Sequence, residues 1–415
     1  MSTRFSFSNL TRWLRAVALP LALVLALLGS FTANAHEQQK GGTPWSGSGH
    51  VGDPLLPENG QILEFSAENV ALLSWLSPED ITGVTQTAND VWGYVSPSGR
   101  EYAILGLRLG TAFVEVTDPL NPKVLKTIPG SGSTWRDMAV YDEYAYSVTE
   151  GGGGIQVIDL RRIDKGKVKI ANRVQDLGLD TVHNITVDPD SGYAYLSGSN
   201  LAEGGLVAVD LSDPANPVVE PGVWAEAYVH DVVTVTYTKG KHAGREIVYA
   251  FAGEDGIAII DVTDKRNMFT VDLLTYPGLS YSHSGAVDRK LKYLYANDEL
   301  DELDGAVGTS TTYLFKIKDF ENARFVKSFT SERPTIDHNG FVRGNWLYQA
   351  NYESGLRVYQ IKRPKNPRQQ AFLDTYPEAD SAHFNGAWGV FAGYPSGIVV
   401  ISDIQRGLFV LLPPS

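Results

Sequence analysis

A recurring interval constrains this chain more than any other feature. His183, His230, His283 and His338 follow one another at intervals of 47, 53 and 55 residues. Each opens a short β-like run: HNITV, HDVVTV, HSGAV and HNGFV. Arg136 in WRDMAV lies 47 residues before His183, Trp388 in GAWGVF lies 50 after His338, and VWGYV around Trp92 lies 44 before Arg136. A near-constant period of this length is the mark of a repeat architecture.

Each repeat reads the same way after its mark. A Tyr-rich run follows, as in EYAILGL, EYAYSVT, GYAYLSG, EIVYAFAG, KYLYAND and NWLYQAN. Then comes a Gly and an apolar run, as in GTAFVEV, GGIQVIDL, GGLVAVDL and DGIAIIDV. Short apolar runs bounded by Gly, Asp and Pro are strand signals. Four strands per repeat predict the blades of an all-β, seven-bladed β-propeller starting near Trp92, Arg136, His183, His230, His283, His338 and Trp388. The last repeat supplies only three strands before Ser415. ENVALLSWL, ahead of the first repeat, is expected to complete it and close the ring. Closure pairs the two ends of the chain and removes exposed sheet edges.

The segment 1–35 reads as a secretory signal peptide. Arg4, Arg12 and Arg15 precede an apolar run from Ala16 to Leu28, and Ala33-Asn34-Ala35 supplies the small-residue cleavage site. The expected location is secreted or periplasmic, with no membrane span after cleavage. Removing the segment takes the formal charge from −13 to −16. That balance excludes broad nucleic-acid binding, which needs a basic footprint. There are no cysteines, so neither disulfides nor Cys-zinc chemistry is available. Residues 36–62 are polar and rich in Gly and Ser, and read as a flexible lead to a propeller over 63–413. His36 would become the new N-terminus, where an amine and a ring can chelate copper; a disordered start is the plain alternative.

The motifs also carry a resemblance. WGYVSPSGREYAILGLRLGTAFVEVTDP, TWRDMAVYDEYAY, HNITVDPDSGYAYLSG, NDELDE, IDHNGFV and QANYESGLRVY, in this order, resemble the choice-of-anchor B family. The GGLVAVDLSDP-type runs resemble the LVIVD repeat. The resemblance spans roughly residues 63–413. It implies an extracytoplasmic propeller and assigns no reaction. Members carry varied anchors after the repeats. None is apparent before Ser415, so a free, monomeric protein is expected.

Propeller geometry decides which residues meet. The marks begin the innermost strands, so they should ring the top mouth of the central channel. The ends of the second strands reach the same face and are acidic: Glu150, Glu254, Asp255, the group Asp298, Glu299, Asp301, Glu302 and Asp304, then Glu353. The bottom turns, TDPLNPK, SDPANPV and KRPKNPR, are Pro/Asn turn chemistry. His242 falls in a bottom connection and reads as solvated.

Two functional readings follow. In one, the mouth is the site of a ligand-binding or protein-interaction scaffold. Its candidate contacts are Arg136, Asp137, Asp231, Asp298, Glu299, Asp301, Glu302, Asn339 and Trp388, and its partner is an unidentified extracytoplasmic ligand or protein. In the other, His183, His230, His283 and His338 hold a metal ion in an oxidoreductase or hydrolase. Neutral imidazole is the commonest metal ligand, and imidazole with carboxylates suits transition metals. Some seven-bladed enzymes place four His around one iron, a parallel of placement only. The hard oxygens of NDELDELDG suit calcium but lack the ligand order of an EF-hand. A structural alternative stands beside both: Asp137, Asn184, Asp231 and Asn339 follow the marks directly, and Asx side chains tie loops locally. Trp92, Trp135, Tyr281, Tyr352 and Trp388 gather near the same mouth, as stacking surfaces or as blade packing.

Overall fold

The computed structural model describes residues 42–414, so the signal-peptide segment and His36 lie outside the described residues. The described residues form seven antiparallel sheets. Blade 1 runs from Ala88–Val95 to Lys123–Pro129, blade 2 from Arg136–Tyr141 to Lys167–Val174, and blade 3 from Asn184–Asp188 to Val218–Trp224. Blade 4 runs from Asp231–Thr236 to Phe269–Leu274, blade 5 from Ser282–Val287 to Arg324–Thr330, and blade 6 from Asn339–Arg343 to Arg368–Leu373. Blade 7 joins Ala387–Phe391, Val399–Asp403 and Gly407–Leu412 to Ala71–Leu76. This is the seven-bladed propeller that the period predicts.

Strand position in a blade explains strand composition. The middle strands lie between neighbouring blades and are buried on both faces, as in Glu101–Leu107 and Ile257–Asp261. They therefore read as continuous apolar runs. The outermost strands face water on one side and alternate, as in Lys167–Val174. A register shift between the third and fourth strands recurs in all seven blades, for example at Val157/Ile158, Ile259/Ile260 and Leu314/Phe315. A bulge at this place bends the strand and increases local twist, which splays the blade edge outward.

Ring closure follows the expected route. Ala71–Leu76 pairs antiparallel with Gly407–Leu412. Trp75 stacks on Phe409 at 5.2 Å between centroids, and its indole N–H donates to the Arg406 carbonyl at 2.7 Å. The stretch 42–62, which composition reads as a flexible lead, is tied to the ring instead. His50 bridges Trp75, Leu55 bridges Leu72, and Trp45 packs on Trp75 at 4.8 Å. Phe65–Glu68 and Gln61–Ile62 extend blade 6 beyond its fourth strand. Sparse anchors such as Trp45 and Leu55 show no periodicity, which is why pattern alone misses this packing.

Candidate functional site at the top mouth

The four ladder histidines converge. Each sits at the start of an innermost strand, and all four are buried. Successive ring centroids lie 4.1 Å apart from His183 to His230, 4.0 Å from His230 to His283, and 4.4 Å from His283 to His338. Their backbones are locked by the blades. His230 N–H donates to Phe251 O at 2.8 Å, and the His338 carbonyl accepts from Asn297 Nδ2 at 2.7 Å. Close approach needs glycine beside the ring. At Gly198, with φ of +59°, an added Cβ would sit 2.5 Å from the His183 Cβ and 2.7 Å from the Tyr228 hydroxyl.

Carboxylates complete the arc. His183 Nδ1 meets Glu150 Oε1 at 2.6 Å. His338 Nδ1 donates to the Trp388 carbonyl at 2.7 Å. A carbonyl only accepts, so the His338 proton is on Nδ1 and the Nε2 lone pair is presented inward. That Nε2 lies 3.5 Å from Glu299 Oε1, and His283 Nε2 lies 3.6 Å from Glu299 Oε2. One ligand atom from each of His230, His283 and Glu299 lies within 4.8 Å of the others. Glu299 is itself steadied by the Tyr352 hydroxyl, which donates to Oε1 at 2.6 Å. Burial, partly offset by the Trp388 carbonyl, pushes the His338 imidazole down to about 3. It is therefore neutral at ordinary pH, the form that binds metals.

The residue after each mark does different work. Asp137 Oδ2 accepts from Ile185 N–H of the next blade at 2.7 Å, and its Oδ1 accepts from Met138 N–H at 2.7 Å. Asp231 accepts from Val232 N–H at 2.7 Å, and Asn339 donates to the Trp388 carbonyl at 3.2 Å. These are the local ties of the structural alternative. They also line a central cavity of about 570 Å³, together with Asp90, Asn184 and Ser284. Burial raises Asp90, and it raises Asp137 further because Asp90 is close beside it; Asp231 is pushed up to about 7. Asp90 is a site residue that sequence reading missed. Local sequence does not mark it; only the fold brings it opposite Gly389, where an added Cβ would lie 1.7 Å from Asp90 Oδ1.

The other sequence candidates separate into groups. Arg136 turns into the blade wall, where Nε donates to Leu107 O at 3.0 Å and Nη2 to Ser131 O at 2.5 Å. Trp388 stays at the mouth, 5.2 Å from the His338 ring. Asp298 is a loop staple, accepting from Ser280 N–H, Tyr281 N–H and the Tyr276 hydroxyl at 2.8, 2.7 and 2.9 Å. Asp301 and Glu302 gather with Asp337 in a carboxylate cluster separate from the one that includes His230, His283 and Glu299. Tyr352 and Trp388 belong to an apolar cluster with Trp135 against it, whereas Trp92 packs on Phe391 at 5.3 Å. His242 is buried, not solvated: Nε2 meets Asp319 Oδ1 at 2.9 Å and the ring packs on Phe320. Its connection folds onto the neighbouring blade, which polar flanking residues conceal.

The fold and mouth thus define a seven-bladed β-propeller with an imidazole arc at one end of its channel. No protein-family model and no curated protein match the chain. Solved structures share its fold at low identity. U3-55K is similar over 80% of this chain and 97% of that one, at 9% identity and a TM-score of 0.53. The β-propeller domain of Cps50 (Swd1) from Myceliophteria thermophila matches over 80% and 98%, at 10% identity and 0.53. A protein from Lactobacillus plantarum matches over 71% and 84%, at 14% identity and 0.52. Among the described residues no helix is long and apolar enough to cross a membrane.

Proposed function

We propose that this propeller holds one transition-metal ion at its top mouth, on His183, His230, His283, His338 and Glu299. On this reading it acts as a metal-dependent enzyme, an oxidoreductase or hydrolase, on a small polar molecule held in the channel cavity beneath. The supporting observation is the outer anchoring of two imidazoles, His183 by Glu150 and His338 by the Trp388 carbonyl. Metal-bound histidines are typically oriented by such a carboxylate or carbonyl on the other ring nitrogen. The ion would supply Lewis acidity or redox capacity. The chain's own residues orient the imidazoles and exclude water from them, and Asp90, Asp137 and Asp231 offer polar contacts in a cavity of ligand size.

Cobalt(II) tests this reading. Added to chelator-treated protein, it should give the visible absorption of an imidazole-ligated ion, lost in His230→Ala. A spectrum matching the free aqueous ion in both proteins would overturn it.

The propeller fold also supports an interaction scaffold. The observation favouring that role is apolar exposure on two outer strands, at Val218 and Val223 of blade 3 and Phe269 and Leu273 of blade 4. We further propose an extracytoplasmic location and membership of the choice-of-anchor B family, on the N-terminal segment and the ordered motifs. Export is tested by N-terminal sequencing of the mature chain, which should begin at His36; a mature chain that retains residues 1–35 would contradict cleavage.

A further inference from the structure

A second cluster lies beside the imidazole arc and plays no part in it. Asp301, Glu302 and Asp337 bring one carboxylate oxygen each to within 4.8 Å of one another. All three are buried, Asp337 at 1% relative exposure and Asp301 at 0%. Asp301 Oδ2 accepts from the Tyr313 hydroxyl at 2.6 Å, and Glu302 Oε1 accepts from Thr311 N–H at 2.9 Å. No donor reaches Asp301 Oδ1, Glu302 Oε2 or either oxygen of Asp337 in good hydrogen-bond geometry, although the Thr311 amide and Asp337's own N–H lie close enough to Asp337 to favour its charged form, and Asp301 and Glu302 lie against each other. Asp337 is decisive, because a buried carboxylate with neither oxygen well satisfied is costly unless a cation meets it or it takes up a proton. Among the described residues no Lys, Arg or His pairs with any of the three.

We propose that Asp301, Glu302 and Asp337 bind a hard divalent cation, calcium by size, at a site separate from the histidine arc. Four oxygens without a well-placed donor form an all-oxygen ligand set, which suits calcium and not the softer metals that imidazole selects. Calcium takes ligands at about 2.3–2.6 Å, so oxygens on opposite sides of the ion stand about 5 Å apart, consistent with this cluster. The placement also has a consequence for the mouth. Asp301 and Glu302 share a loop with Glu299, and Asp337 directly precedes His338. One ion would therefore fix two elements that meet across the arc.

The test uses the full chain, stripped with a chelator and dialysed. Calcium titration followed by calorimetry and thermal unfolding should show saturable binding near one ion per chain and a rise in Tm. Asp337→Asn should lose both responses. Glu302→Gln, a second variant should the first fail to fold, should weaken binding at least tenfold. His230→Ala should keep the calcium response, which separates this site from the proposed transition-metal centre. If stripped wild-type protein binds neither calcium, magnesium nor manganese, or if Asp337→Asn binds calcium as wild type does, the site is a protonated carboxyl cluster and the proposal is overturned.

Discussion

Glu150 and His183 meet across two blades, with Oε1 2.6 Å from Nδ1. Glu150 directly follows the second strand of blade 2, and His183 enters blade 3. The pair fixes the orientation of the ring through Nδ1. Glu150→Gln keeps the shape and removes the charge. Loss of such an outer partner typically costs 10–100-fold in metal affinity. We predict a cobalt or zinc affinity weakened by about that factor, read by chelator competition, with an unchanged far-ultraviolet spectrum. Equal affinity in the two proteins would show that Glu150 only decorates the rim.

Glu299 is the carboxylate that both His283 and His338 face. Removing it takes away a proposed ligand and leaves the buried Tyr352 hydroxyl without its acceptor. Glu299→Ala should abolish metal binding and cost about 1–3 kcal/mol of stability, the usual penalty for an orphaned buried polar group. Tyr352→Phe should cost less and leave binding within a few-fold, because the ligand remains. Urea unfolding and metal titration on the two variants read both effects. The opposite ranking would mean that Tyr352, not Glu299, organises the mouth.

Gly389 is demanded by Asp90. A methyl group there would lie 1.7 Å from the carboxylate oxygen, inside any contact distance. Gly389→Ala should destabilise the ring by about 1–3 kcal/mol, as overpacked interiors do. Asp90→Asn/Gly389→Ala should be no better, since the amide is as large. Thermal unfolding checks both, and a Gly389→Ala protein as stable as wild type would contradict the placement of Asp90.

Asp90 and Asp137 give the channel a pH dependence of definite sign. Both carboxyls are raised, first by burial. A raised carboxyl holds its proton in the folded chain after the unfolded chain has released it. Above the unfolded carboxylate range the folded state therefore binds more protons, and stability falls as pH rises through the raised values. One such group contributes a slope of about 1.4 kcal/mol per pH unit over its window. Asp90→Asn removes one titrating group and the repulsion on Asp137, so its stability profile should fall less steeply from pH 4 upward. A steeper fall in the variant would contradict the assignment.

Periodicity carried much of this architecture. The blade marks, the Tyr-rich second strands and the closing strand are legible because a blade repeats one pattern of exposure. Convergence of the four histidines follows from their shared position in that pattern, and Glu150 and Glu299 follow from the ends of second strands. What periodicity does not carry is the direction of neighbouring side chains. Successive strand residues point to opposite faces, so Arg136 and Asp137, read as one group, part company into the wall and the channel. Asp337 sits directly before His338 and joins a different cluster, which local pattern does not mark. Contacts between distant segments, Asp90 with Gly389 or Trp45 with Trp75, leave no mark in local sequence.

Elemental analysis tests the central claim most directly. The protein, purified without a metal-affinity step, should carry close to one transition-metal ion per chain. The double variant His230→Ala/His283→Ala, folded by circular dichroism, should carry background levels. Wild-type protein with no more transition metal than the variant, before and after reconstitution, would contradict a metal centre at the mouth.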